Sequence, residues 1–260
     1  MKKIIRDLKK YFNYCVVSAK ANLVAEVAGS YLNWVWWILE PFCMMLVYGF
    51  VFGQVFGIKM ENYSLFLFIG ISFFDFFNRG IKGSVGIIKK NKQIISKVYM
   101  PKYILVLSDM FVSLFKMLMC LVVVFIMMIV NGVPITWRAL YLIPLIIDYF
   151  VFTFALALFF EHFGVFVEDL KKIVNIVLRF LFYFSGIVYN VMEKFPAPYN
   201  ELVLTYYPVS RIIYDARQVL LYNQDISLLY MLILLVISCA VSFLGMQLIY
   251  HNENGYVKMI

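Results

Sequence analysis

The sequence predicts an all-α polytopic membrane protein, and three observations carry that prediction. Apolar stretches of membrane-spanning length recur along the chain, Lys and Arg gather in alternate connections between them, and polar surface is scarce. Of the 260 residues 64% are hydrophobic and 15% charged, with a mean hydropathy of +0.86, too little polarity to coat a water-soluble globule. A hydrocarbon layer of about 30 Å takes roughly 20 helical residues to cross. Six crossings fit, at 34–56, 63–85, 103–130, 139–163, 173–190 and 227–250. Residues 34–251 thus form one six-helix transmembrane domain, with segments 1–33 and 252–260 outside it.

The first segment is amphipathic. Ile4, Ile5, Leu8, Tyr11, Phe12, Cys15 and Val16 share one helical face, and Lys2, Lys3, Arg6, Lys9, Lys10 and Asn13 another. Such a helix lies among anionic headgroups as an anchor, or clamps a partner at the same surface. Span one opens on Trp34, Trp36 and Trp37, and Gly49, Gly53 and Gly57 near its far end permit close helix approach, within the chain or to another copy.

The basic residues set the topology. Lys2, Lys3, Arg6, Lys9, Lys10 and Lys20 precede span one, and Arg79, Lys82, Lys89, Lys90, Lys92, Lys97 and Lys102 follow span two. Lys171, Lys172 and Arg179 follow span four, whereas the opposite connections hold only Lys59, Arg138, Lys194, Arg211 and Arg217. The positive-inside rule puts both termini in the cytoplasm. The net charge of +8 is therefore a topology signal and no argument for nucleic acid. A cleaved leader is not expected, because the first long apolar run begins only near Trp34. Cys15, Cys43, Cys120 and Cys239 lack paired spacing and read as packing residues.

Two connections carry structure of their own. Ile87-Ile88 and Ile94-Ile95 lie seven residues apart in a basic loop, nearly two helical turns, so both pairs are expected on one face of a short helix that docks a partner or lies on the membrane. Beyond Pro196, Pro198 and Pro208, Val209, Ile212, Ile213, Ala216, Val219 and Leu220 recur at helical spacing against Arg211, Asp215, Arg217 and Gln218. That pattern predicts a helix at, or dipping into, the outer leaflet.

Catalytic chemistry is not expected. No G-x-x-x-x-G-K-[ST] loop, nucleophile elbow or metal-ligand spacing occurs, and His162 and His251 stand alone, so no cofactor is assigned to this chain. Ionisable residues inside the spans are costly and face the bundle interior. Counting along span three places Asp109 about 10 Å and Lys116 about 21 Å from its cytoplasmic end, with Asp75 and Asp148 at similar depths on neighbouring spans. Lys116 and Asp148 form either a structural ion pair or part of a passage for an anionic substrate. Phe73, Phe74, Tyr183 and Tyr189 belong to an aromatic excess, 19% of the chain, that anchors span ends and is also compatible with stacking on sugar rings along that passage.

Several segments are similar to one transporter family. Trp36-Trp37-Ile38-Leu39-Glu40-Pro41, Ser96-Lys97-Val98-Tyr99-Met100-Pro101, Val165-Phe166-Val167-Glu168-Asp169, Phe184-Ser185-Gly186-Ile187-Val188-Tyr189 and Tyr207-Pro208-Val209-Ser210 with Arg217 resemble, in order, motifs of the transmembrane subunit of ATP-binding-cassette polysaccharide exporters. That family moves O-antigen, capsule or teichoic-acid chains. Glu168 and Gly186 depart from its usual Arg and Pro.

The resemblance implies a homodimer in the bacterial cytoplasmic membrane with two copies of a separate ATPase, which would hold the ATP and Mg. It implies a coupling helix at 86–97 with Ile87, Ile88, Lys89, Lys90, Ile94, Ile95 and Lys97, and gate helices near 191–222 with Pro208, Arg211 and Arg217. The implied substrate is a polysaccharide on an undecaprenyl-pyrophosphate or similar carrier, moving between the two subunits. A drug or lipid exporter of the same superfamily, or a channel or membrane enzyme, is the alternative reading.

Overall fold

The computed structural model describes the backbone of residues 2–29, 31–97 and 99–259, and the side-chain surroundings of all of these except 2–5, 8, 254 and 257–259. Lys2, Lys3, Ile4, Ile5 and Leu8 of the predicted amphipathic faces, and Val98 of the second motif, lie outside the residues so described. The described backbone is helical without strands: α1 (Lys2–Val27), α2 (Trp36–Tyr48), α3 (Tyr63–Val85), α4 (Ile87–Lys90), α5 (Lys92–Ile95), α6 (Tyr103–Val130), α7 (Leu142–Phe166), α8 (Leu170–Phe184), α9 (Val191–Lys194), α10 (Tyr199–Tyr206), α11 (Pro208–Leu220) and α12 (Leu228–Met259). A 3-10 turn leads into α2, a π-helical stretch (Gly49–Val55) continues it, and a second 3-10 turn precedes α7.

α3 is the hub. It packs against α2, α6, α7, α8 and α11, while α12 lies along α7 and α1 along α6. Of the apolar spans α3 is the least apolar and the most buried, because its polar residues and small side chains face protein, whereas α12 presents Leu229, Val236 and Ile237 outward. Close approach is set by glycine at the crossing of α7 with the end of α3, where a Cβ on Gly164 would overlap the Val85 carbonyl. Pro41 inside α2 cannot donate to the Trp37 carbonyl, and Cys120 Sγ on α6 approaches that carbonyl at 3.6 Å.

Five stretches among the described residues are long and apolar enough to cross a membrane: Asn33–Val55, Tyr63–Val85, Tyr103–Val130, Trp137–Phe166 and Leu228–Glu253. The expected crossing at 173–190 corresponds to α8, which has 15 residues and so spans about 22 Å. It stops at Phe184 because Gly186 turns left-handed at φ +69°, a helix break supplied by glycine's freedom rather than by proline. At the other terminus the helix does not end near residue 251. It runs to Met259, with Tyr256 buried and hydrogen-bonded to His162 Nδ1 at 2.6 Å.

α1 does more than float on a surface. Cys15 and Ala19 are buried against α6, Phe12 meets Phe111 edge-on, and Ser108 Oγ donates to the Cys15 carbonyl at 3.4 Å. The opposite side of α1 exposes Val16, Val17 and Val24 beside Lys9, Lys10 and Lys20.

The basic connection does not form the single amphipathic helix expected. Asn91 leaves helical geometry and its Nδ2 donates to the Ile87 carbonyl at 2.8 Å, which ends α4 and restarts the chain as α5. Ile87 and Ile88 then point into the bundle, 4% and 1% exposed, while Ile94 is 41% exposed and Ile95 half-buried. The two isoleucine pairs therefore do not share a face. Lys89, its side chain half-exposed, reaches Glu168 at 3.8 Å, an exposed pair worth little in water.

Gly164→Ala is expected to lower the thermal unfolding midpoint of the detergent-solubilised protein, at a cost of about 1–3 kcal/mol for forced overpacking. Gly255→Ala, inside α12 where a Cβ meets nothing within 4 Å, is expected not to lower the midpoint and to raise it slightly, since alanine is the better helix former.

Candidate functional site: a charged, aromatic cleft beside the hub helix

α2, α3 and α8 enclose a cleft of about 400 Å³. Tyr48, Phe74, Phe182 and Tyr183 supply aromatic walls, and Glu40, Asp75, Asn78, Lys82 and Arg179 supply polar groups. Asp75, Asn78, Arg79 and Lys82 follow each other at i, i+3, i+4 and i+7, so α3 turns one polar edge toward the gap. Arg79 fixes the acidic side of that edge: its Nε donates to Asp75 at 2.6 Å and its Nη2 to Glu40 of α2 at 3.1 Å. Phe182 packs on Tyr48 and edge-on against Phe74, with centroids 5.3 and 5.2 Å away.

Of the residues expected along a passage, Phe74 and Tyr183 line this cleft. Tyr189 stands behind it, its hydroxyl donating to the Tyr183 carbonyl at 2.8 Å. Phe73 does not reach it; the ring is fully buried and stacks on Tyr149 at 5.9 Å.

Lys116 and Asp148 are not brought together either. Lys116 is buried, forms an ion pair with Glu26 at the end of α1 and lies 5.7 Å from the Trp37 ring. Trp37 belongs to the start of α2, and Lys116 is the fourteenth of the 28 residues of α6. Asp148 is buried with neither carboxylate oxygen hydrogen-bonded.

The expected gate residues separate into two roles. Pro208 is the first residue of α11, and Arg211 reaches Asp215 through Nε at 3.0 and 2.9 Å with its guanidinium 4.9 Å from the Tyr230 ring. Arg217 is not a surface group: it is 4% exposed. Its Nε donates to the Phe66 carbonyl at 3.1 Å, Nη1 to Gly186 at 2.7 Å and Nη2 to Ile187 at 2.9 Å, with Cζ 3.4 Å from the Phe66 ring centre. α11 is thereby bound into the bundle between α3 and the unwound end of α8. Outside it, Arg138 donates to Asp225 at 2.8 and 3.3 Å and holds that carboxyl below the usual carboxylate range.

Arg179, Lys82, Asn78, Tyr48 and Phe182 were not predicted as site residues. The i, i+3, i+4, i+7 polar edge of α3 was a usable signal, but Arg79 and Lys82 also satisfy the topology rule. Among the described residues no group of His, Cys, Asp or Glu could hold a metal ion. The cleft's side chains can bind rather than catalyse: cations suit anionic groups, and ring faces suit apolar sugar faces.

No family model matches the chain. Over 258 residues, 98% of this chain and 97% of the relative, it is 25% identical to the O-antigen export system permease protein RfbA of Klebsiella pneumoniae. A second Klebsiella pneumoniae protein of that name matches at the same identity and coverage, and one from Myxococcus xanthus is 25% identical over 209 residues, 80% of each chain.

The chain is similar to O-antigen export permeases over nearly its whole length. Like them it is read as a transmembrane transport protein, and the shared length spans the hub, the cleft and the α11 clamp alike.

Removing the clamp is expected to be costly. Arg217→Met leaves three buried carbonyls without their donor and should remove about 3 kcal/mol or more of stability, read as lost monodisperse protein in size-exclusion chromatography, with Arg217→Lys intermediate. A double-mutant cycle separates the two candidate partners of the buried lysine. Lys116→Met with Glu26→Gln should show coupling of about 1–3 kcal/mol, and Lys116→Met with Asp148→Asn should be additive.

Proposed function

We propose that this chain is the transmembrane subunit of an ATP-driven exporter that moves a lipid-linked polysaccharide across the bacterial cytoplasmic membrane. Similarity to O-antigen export permeases over 98% of the chain carries the reading. The cleft supports it with cations for carrier phosphates and aromatic faces for sugars. In this reading α8 and the segment that follows it make a sixth crossing, and both termini are cytoplasmic. Two copies associate so that α2 and α8 of each, whose Leu46, Ile176 and Phe180 are exposed, border a shared path. α9, α10 and α11 close its outer end.

A separate cytoplasmic ATPase supplies the energy and carries ATP and Mg. It docks on the exposed part of the basic connection, Lys89, Lys90, Ile94, Ile95 and Lys97, while Ile87 and Ile88 secure that segment to the bundle. The half-buried Ile95 and exposed Ile94 supply apolar contact there, and the lysines steer an acidic partner surface.

Ile94→Asp is expected to abolish co-purification of the partner ATPase, without loss of the permease from the membrane. Arg179→Ala and Lys82→Ala should retain the ATPase and reduce surface polysaccharide about tenfold or more, the loss of a charge-assisted contact worth 1.5–3 kcal/mol. Full export by the Arg179→Ala, Lys82→Ala double variant would exclude the cleft from the path. Full ATPase recovery by Ile94→Asp would exclude the docking assignment.

A further inference from the structure

A second gap lies on the other flank of α8, and nothing in the export reading uses it. α8 rests on α3 through Val174 and Leu178, its only buried residues, and stands off from α7. The crevice between them holds about 320 Å³. Its walls are Phe77 of α3, Phe152 and Phe160 of α7, and Val177 and Leu181 of α8, closed at the inner end by Tyr207 and Val209.

No polar atom is presented to this space. The Tyr207 hydroxyl is instead engaged with Ser185 Oγ at 2.9 Å. An apolar cavity of roughly 150 Å³ stays dry and takes a benzene-sized ligand; this one is about twice that size and elongated. From Leu170 to Leu181 it follows α8 for about 16 Å. Left empty it would forfeit dispersion contacts along both walls. A long narrow apolar slot at the depth of the spans fits a hydrocarbon chain rather than a compact ring.

The mouth supplies a charge preference. One end of the lining is Leu170, the first residue of α8, next to exposed Lys171 and Lys172. Lys172 is held by Asp169 at 2.9 Å and Lys89 answers Glu168 at 3.8 Å. Three lysines against two carboxylates leave the rim positive, which suits a phosphodiester headgroup.

We infer that the α7–α8 crevice is a binding site for one acyl chain of an anionic bilayer phospholipid. The lipid is a resident part of the subunit and is not the transported molecule, so the inference does not depend on the export reading. Its tail fills the slot and its tip meets the start of α11, where Ser185 joins α8 to Tyr207 and Ser210. An occupied slot braces α8 against α7 and supports the junction from which α11 enters the bundle.

The test uses the full chain in vesicles, with its four tryptophans replaced by Phe and a single reporter introduced as Phe160→Trp in the crevice or Val236→Trp on the outward face of α12. Dibrominated phosphatidylglycerol should quench the crevice reporter at a mole fraction several-fold below that needed at Val236. Dibrominated phosphatidylcholine should require about fivefold more than the glycerol lipid, the factor one lysine near a charged surface contributes, and Lys171→Gln should erase that difference. Val177→Phe or Leu156→Phe, each filling the slot, should abolish the preferential quenching in protein of unchanged helicity. Superimposable quenching curves at the two reporters, or a preference that survives both filling variants, would overturn the site. Reversal of the quenching by an added polyprenyl phosphate at substoichiometric levels would overturn the phospholipid assignment.

Discussion

The buried guanidinium of Arg217 joins three parts of the chain that otherwise have little reason to stay together. A cation with no carboxylate partner is expensive in an apolar interior, and here its positive charge is met by backbone carbonyls. Two of them, Gly186 and Ile187, follow the C-terminal end of α8, where the helix dipole leaves partial negative charge. The third belongs to Phe66 of α3, whose ring lies under the guanidinium. Because α8 stops short, the carbonyls of the unwound stretch after it need donors, and Arg217 supplies two of them. A Cβ on Gly70 would occupy the space of the Arg217 side chain, so the hub helix is shaped around this one residue. Tyr63 adds a donor to the Val188 carbonyl at 2.7 Å, so a third carbonyl of the unwound stretch is paired.

That clamp also explains the asymmetry of the bundle. α3, α6, α7 and α12 form the packed body, but α8 is fixed at its far end by the clamp and along its length mainly by Val174 and Leu178. A helix held in this way leaves a gap on each side. One gap is polar and aromatic and faces α2; the other is apolar and faces α7. The difference follows from the edges of α3: Asp75, Asn78 and Lys82 point toward the first gap, and Phe77 and Ile81 toward the second.

The candidate site was partly legible before the fold was known. Phe74 and Tyr183 were selected as aromatic residues near span ends and line the cleft, but Phe73, one residue away, rotates by about 100° on the helix and is lost to the core. Arg79, Lys82 and Arg179 were counted as topology charges, and a count has no geometry. The motif residue Glu40 gained a meaning only when α2 and α3 were placed side by side, since its partner Arg79 is 39 positions later. The expected pairing of Lys116 with Asp148 fails for a similar reason: the partner of Lys116 is Glu26, in a segment expected to lie on the membrane surface.

By itself the sequence determined that this chain is helical and membrane-embedded, because apolar run length and lysine placement answer directly to the thickness and charge of a bilayer. It also marked Pro208 as the point from which a new helix starts, since proline's backbone restriction is a local property. Only the tertiary structure decided which helix is central, that Asn91 turns Ile87 and Ile88 into the bundle and away from Ile94, and that Arg217 is a buried clamp instead of an outer charge. Those outcomes rest on contacts between residues far apart in the chain, and helical periodicity records only which side chains share a face, never what that face will meet.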